Sequence, residues 1–242
     1  MSALAFYLDA PMQSWGSSSK YQYRETGSFP TKSALIGLVA AAHGIDKCDP
    51  HEAEKLTPLS ALRLTVVKME KDHVATTRLM DFHSVGGGYN WRSSQREKMS
   101  IPPKASGAPF GTVITRRSYL TDASFIALLE GPSETLVTAK KALLNPVWGV
   151  WFGRKTCLPA TPLTPTLGET REEAFDALLE VLPNQPPLAL EDCEYQEEIL
   201  GDSPPEGTFY QSDQPTAFGQ HHGPIPAAYR ARAIRHHRPN TP

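Results

Sequence analysis

The sequence predicts an α+β fold, and three observations predict it. Strand-like segments with alternating apolar residues are interleaved with two segments of helical period. A long aperiodic stretch, residues 83–110, interrupts that series. Past about residue 158 the composition shifts, since 13 of the 22 prolines lie between Pro159 and Pro242. Residues 1–160 are therefore expected to form a core and residues 161–242 a proline-rich, acidic C-terminal extension.

The elements follow in order. Ala3–Asp9 alternates and is rich in aromatic and aliphatic residues, which reads as a strand. A polar loop with Gly16 and Gly27 follows, and Thr31 then stands as a helix N-cap. Leu35, Leu38, Val39 and Ala42 fall on one helical face, and Gly44 is a natural stop. Asp49-Pro50 predicts a short helix to about Leu56. Leu62, Leu64 and Val66 mark a strand, and His73–Met80 is expected to pair with it through a Lys71-Asp72 turn. Thr112–Leu120 and Ala123–Leu129 read as strands meeting at Thr121-Asp122. Ser133 is the expected cap of a helix ended by Asn145-Pro146, and Trp148–Phe152 reads as the next strand. The order strand, helix, strand, strand with an insertion, helix, strand is the split βαβ, or ferredoxin-like, arrangement. In the extension, Phe175, Leu178, Leu179 and Leu182 form an apolar stripe within Glu169–Leu182, and Tyr229–Arg235 reads as a final edge strand.

Composition excludes several classes. Hydrophobic content of 40% and charged content of 21% provide for a buried core. No apolar run reaches the roughly 20 residues of a membrane helix, and the N-terminus lacks a signal-peptide pattern, so a cytoplasmic protein is expected. Cys48, Cys157 and Cys193 are scattered and odd in number, which speaks against a disulfide framework or a zinc site. Charge is unevenly spread. Residues 1–160 carry 19 Lys/Arg against 13 Asp/Glu, and residues 161–242 carry 5 against 13. Residues 74–120 are net +5, a local field that attracts polyanions although the whole chain is −2.

The candidate binding residues lie in that basic half. Thr31-Lys32-Ser33 opens a helix, where free N–H groups, the dipole and a lysine favour a phosphate; an ordinary cap with a surface lysine would read the same. The insertion interleaves Arg92, Arg96, Lys98 and Lys104 with His83, Tyr89 and Trp91, and cations track phosphates while planar groups stack on unpaired bases. Gly153-Arg154-Lys155 places two cations beside a residue that permits close approach of the backbone to a ligand; a surface turn would read the same. Catalysis has weaker support. His83 with Tyr89 and a nearby lysine offers a base, a donor and a cation for metal-independent RNA cleavage; His43 could serve too, but it sits at a helix end, where a structural role is the expected one. The remaining histidines are isolated or adjacent pairs, and no metal-ligand spacing, GxSxG, P-loop or HExxH occurs, so no metal and no cofactor is expected.

Five segments, taken in order, resemble one family. They are Ala10-Pro11-Met12-Gln13-Ser14-Trp15-Gly16, then Gly27-Ser28-Phe29-Pro30-Thr31-Lys32-Ser33 with Gly37-Leu38 and Gly44-Ile45, and Asp81-Phe82-His83-Ser84-Val85. Tyr119–Phe125 and Gly153-Arg154-Lys155-Thr156-Cys157 with Pro162-Leu163 complete the set. Together they are similar to the signatures of the CasD family, whose members cap the guide RNA in type I-E CRISPR Cascade, and they span about residues 3–163. The resemblance implies a ferredoxin-like (RRM/RAMP) core with an inserted β-hairpin thumb at about residues 78–115. It implies a non-catalytic subunit of a cytoplasmic ribonucleoprotein complex for antiviral defence. Such a subunit binds the 5′ handle of the CRISPR guide RNA, contacts the backbone and large subunits, and meets target DNA only through the complex. A related branch uses this subunit as a metal-independent endoribonuclease of repeat RNA, which is the alternative reading. The implied handle site comprises Gln13, Trp15, Lys20, Arg24, Thr31, Lys32, Ser33, Arg154 and Lys155. The thumb would carry Arg78, His83, Arg92, Arg96 and Lys98, with Arg116 and Arg117 at its base.

Overall fold

The computed structural model describes residues 2–16, 19–20, 22–70, 75–85, 113–183, 188–201, 203–219 and 229–239. Its elements, in chain order, begin with β1 (Ser2–Asp9), β2 (Met12–Gln13), β3 (Ser19–Lys20), β4 (Tyr23–Arg24), α1 (Lys32–His43) and α2 (Glu52–Ser60). They continue with β5 (Arg63–Met69), β6 (Thr77–Val85), β7 (Val113–Thr121), β8 (Ser124–Gly131) and α3 (Ser133–Leu144). The last are β9 (Thr166–Gly168), α4 (Arg171–Val181), β10 (Glu194–Ile199), β11 (Phe209–Pro215) and β12 (Tyr229–His237). The fold is mixed α+β.

Seven strands form one sheet in the order β11-β12-β10-β5-β8-β1-β9, with every neighbouring pair antiparallel. Side chains of β1 alternate between its faces. Leu4, Phe6 and Leu8 pack with α1 and α3 through Leu35, Val39 and Leu136. Ala3, Ala5 and Tyr7 pack with α4 through Ala174, Phe175 and Leu178. The sheet is thus covered on both faces, which is why β1 reads as an almost unbroken apolar run. A second, smaller sheet is built around β7. One edge of β7 pairs along its length with β6; the other takes β2 and, in parallel, β4. At Asp122, held at φ 54°, the chain leaves the small sheet and enters the large one as β8. A short acidic side chain tolerates that left-handed conformation better than most.

The α1 helix forms as its sequence predicts. Thr31 Oγ1 accepts from the Ala34 N–H at 3.4 Å, and Gly44 closes the helix at φ 74°. Several expectations are corrected. The α2 helix starts at Glu52, because Asp49 accepts the His51 and Glu52 N–H groups and makes a turn of Asp49-Pro50; it then runs past Leu56 to Ser60 despite Pro58. Pro132, not Ser133, is the cap residue of α3. β6 pairs with β7 and not with β5, whose two edges are already filled by β8 and β10. Trp148–Phe152 is not a strand. The N–H groups of Val147 and Trp148 instead cap the Ala42 and Ala41 carbonyls at the end of α1, and β9 takes the place beside β1. Finally, β12 is not an edge strand but lies between β10 and β11.

Candidate nucleic-acid interface

A cleft of about 470 Å³ opens where the segment after β1, the first turn of α1, β7 and the Gly153-Arg154 turn converge. Arg24, Thr31, Ser33, Arg117 and Arg154, all singled out by the sequence, line it together with Glu25, Phe218 and Tyr229. Arg24 and Arg117 are paired across β4 and β7, so both side chains leave the small sheet on the same face. Arg154 is fixed from three sides. It donates to the Ser118 carbonyl at 3.0 Å and the Arg24 carbonyl at 2.9 Å, and its guanidinium lies 4.5 Å from the Tyr119 ring centroid. Three guanidinium groups against one carboxylate, Glu25, give the cleft an excess of positive charge.

The walls of the cleft are rigid for local reasons. Gly153 has φ 90°, and a Cβ there would lie 1.7 Å from the Ser14 carbonyl oxygen. That close approach lets the Ser14 N–H reach the Phe152 carbonyl at 3.0 Å. Gln13 and Trp15 hold the same junction from inside. The Gln13 amide donates to the Leu8 and Ala123 carbonyls at 3.1 and 2.7 Å and accepts from the Trp15 indole at 2.9 Å. The Trp15 ring packs on Phe152, and both side chains are fully buried. An RNA-contacting role for Gln13 and Trp15 is therefore corrected to a supporting one.

Lys32 needs the same correction. Its side chain is 1% exposed, and its ammonium is held by both oxygens of Glu198 at 2.9 Å. Burial pushes its pKa down from the ordinary lysine value, against the opposing pull of Glu198. The Lys32 backbone N–H, which a phosphate would have taken, donates to Asp213 at 2.8 Å, and Asp213 is gripped by Arg232 at 2.6 and 2.9 Å. An internal carboxylate thus fills the anion position at the start of α1. The sequence offered no local sign of this, because Glu198 and Asp213 lie more than 160 residues away.

The remaining candidates are dispersed. Arg78 donates to the Thr26 carbonyl and the Ser28 hydroxyl, tying β6 to the loop before α1. His83 lies on β6 opposite Thr115. Lys155 lies 5.6 Å over the Trp151 ring. Arg116 lies on the face of the small sheet opposite Arg117, between Tyr23 and Phe82. Tyr23 and Phe82 were not among the sequence candidates; both are exposed, on β4 and β6. Arg92, Arg96, Lys98 and Lys104, with Tyr89 and Trp91, lie outside the described residues, as does the side chain of Lys20. Among the described residues no cluster of three or more His, Cys, Asp or Glu is poised to hold a metal, and no helix is long and apolar enough to cross a membrane.

Known proteins place this geometry in context. The family described as CRISPR-associated protein (Cas_Cas5) matches residues 3–234, well past the residue-163 limit of the sequence motifs. The CRISPR system Cascade subunit CasD of Escherichia coli (strain K12) is 35% identical over 167 residues, covering 67% of this chain and 69% of CasD. A chain of a CRISPR RNA-guided surveillance complex superposes with a TM-score of 0.68 at 29% identity, over 97% of this chain and 88% of its own. A Cas protein crystal structure superposes with a TM-score of 0.58 at 26% identity, over 97% and 93%. Sequence motifs, the extent of the family match and the shared fold agree: the chain belongs to the Cas5 family of CRISPR-associated proteins.

Proposed function

We propose that this protein is a non-catalytic subunit of a type I CRISPR surveillance complex, of the I-E kind, that holds the 5′ handle of the guide RNA. The observation that carries the proposal is the convergence of Arg24, Arg117 and Arg154 in one cleft beside Thr31 and Ser33. Guanidinium groups in a fixed fork bind phosphate oxygens bidentately, and hydroxyls at the rim add acceptors and donors for sugar and phosphate. The likeness to CasD and to a chain of an RNA-guided complex supports the same reading.

The strand order β5-β8-β1-β9 supports a ferredoxin-like RAMP core, with β6 and β7 as the base of a thumb inserted at about residues 78–115. Of residues 161–242, β9 completes that core beside β1, and the remainder acts in this reading as an extension that seals it, since β10 pairs with β5. Other surfaces would contact the backbone and large subunits of the complex, in the cytoplasm, with target DNA met only through the assembly. The test is to purify the tagged protein with its native partners and sequence the 5′ ends of the RNA it carries. A constant repeat-derived start followed by variable spacers is expected. Heterogeneous RNA, or none, overturns the proposal, and a specific cleavage product from repeat RNA in EDTA would reassign the protein to processing.

A further inference from the structure

We infer that the face of the small sheet carrying Tyr23, Arg116 and Phe82 is a second RNA subsite, a platform on which one or two unpaired nucleobases stack. The inference rests on the RNA-binding reading above and adds to it a surface outside the cleft. Tyr23, Arg116 and Phe82 form one cross-strand row, because Arg116 of β7 pairs with Tyr23 on one side and with Phe82 on the other. Paired positions put their side chains on the same face. The Arg116 guanidinium lies 5.2 Å from each ring centroid and donates to the Tyr23 hydroxyl, so it is fixed between two aromatic groups.

This row faces outward. Tyr23 is 48% and Phe82 63% exposed, and Met80 and Ile114, in the adjacent rows, are 50% and 52% exposed. A surface that only had to be soluble would place polar residues there. A protein partner that covered the row with apolar groups would have to desolvate the guanidinium at its centre, which is costly without a carboxylate to meet it. An unpaired base has no such conflict. It offers a π face to the rings and to the guanidinium plane, and its own phosphate supplies the anion. The cleft lies on the other face of the same strands, where Arg24 and Arg117 occupy the alternate positions. One sheet therefore offers phosphate contacts on one side and base contacts on the other.

The experiment measures binding of the full chain to a single-stranded oligouridylate of about ten nucleotides and to an abasic oligomer of the same length, across a salt series. Tyr23→Ala with Phe82→Ala is expected to weaken oligouridylate binding about 5- to 150-fold, the range of one lost base stack, and to leave abasic binding and the salt slope unchanged. Tyr23→Leu with Phe82→Leu keeps apolar bulk without the π face and is expected to show the same loss, which separates stacking from misfolding. Arg117→Ala is expected to weaken both oligomers and to make the salt slope shallower by about 0.7. If both paired variants bind oligouridylate as the unaltered chain does while Arg117→Ala weakens both oligomers, the platform is wrong and the cleft stands. If the paired variants keep RNA affinity but lose co-assembly with partner subunits, the face is a protein interface and the inference falls. No salt-sensitive affinity in the unaltered chain would overturn the platform and the RNA-binding reading together.

Discussion

Lys32 and Arg154 look alike in the sequence, each a cation beside a turn or a helix start, and the fold uses them in opposite ways. Arg154 lines the cleft, with its guanidinium held by two backbone carbonyls and a ring. Lys32 faces inward onto Glu198, whose carboxylate also accepts the Leu64 N–H at 3.1 Å. The difference was not legible locally, since a helix-start lysine is ordinarily exposed and only the distant partner shows otherwise. It leads to a prediction about stability rather than about RNA. Lys32→Met leaves Glu198 as a buried, unpaired charge and is expected to cost about 3–5 kcal/mol in urea unfolding. Lys32→Met with Glu198→Gln removes both charges, keeps an acceptor for Leu64, and is expected to recover more than half of that loss. A Lys32→Met protein of normal stability with weakened RNA binding would return Lys32 to the binding surface.

Among the elements, the Phe152–Cys157 turn shows where local pattern succeeds and where it stops. Its glycine was legible as a place where backbone could come close to a ligand; the structure puts Gly153 against the chain's own Ser14 carbonyl instead. The preceding residues, Trp148–Phe152, read as a strand because aromatic and aliphatic residues dominate them. Their backbone groups are instead committed to the end of α1 and to the segment after β1, a tertiary choice that no window of residues encodes. The same limit hid the partner of β6, whose strand character was legible but whose pairing depended on β10 arriving from the extension. Gly153→Ala tests the turn. It adds positive-φ strain and drives a methyl group into Ser14, and is expected to cost at least about 2–3 kcal/mol and to weaken RNA binding as Arg154 leaves the cleft. Gly201, at φ 116° with nothing within 4 Å of an added Cβ, provides the comparison: Gly201→Ala carries strain without a clash and is expected to cost about 1 kcal/mol and leave RNA binding intact. Equal effects of the two on RNA affinity would show that the contact with Ser14 does not position Arg154.

For the whole molecule, the asymmetry of charge along the sequence becomes a set of ties between the two parts of the chain. The acidic extension supplies carboxylates to the basic core: Glu198 to Lys32, Glu197 to Arg63 at 3.1 Å, and Glu194 to Lys68 at 2.7 Å. Glu52 of α2 works in the other direction, accepting the Phe218 and Gly219 N–H groups at 2.8 and 2.9 Å. The uneven charge was legible, but its use was not, because net charge specifies sign and not partner. Glu197 reaches Arg63 of the core and, within the extension, Arg171 of α4 and His237 of β12. Burial pushes its pKa up, but the hydrogen bonds from Arg171 and His237 outweigh burial and hold it below the usual glutamate value. Glu194 is depressed likewise, with burial again outweighed by Lys68 and His236. A carboxylate depressed in the folded state binds its proton more readily in the unfolded chain. Its contribution is therefore fully present above the ordinary value of about 4.3 and is lost as pH falls through the lower folded value. Glu197→Gln is expected to unfold about 2 kcal/mol more easily at neutral pH, measured in urea. That gap should stay level down to about pH 5 and then narrow as the unaltered protein takes up its proton. A gap that persisted unchanged to pH 3 would mean that the Glu197 charge contributes nothing through the links it makes to Arg171, His237 and Arg63.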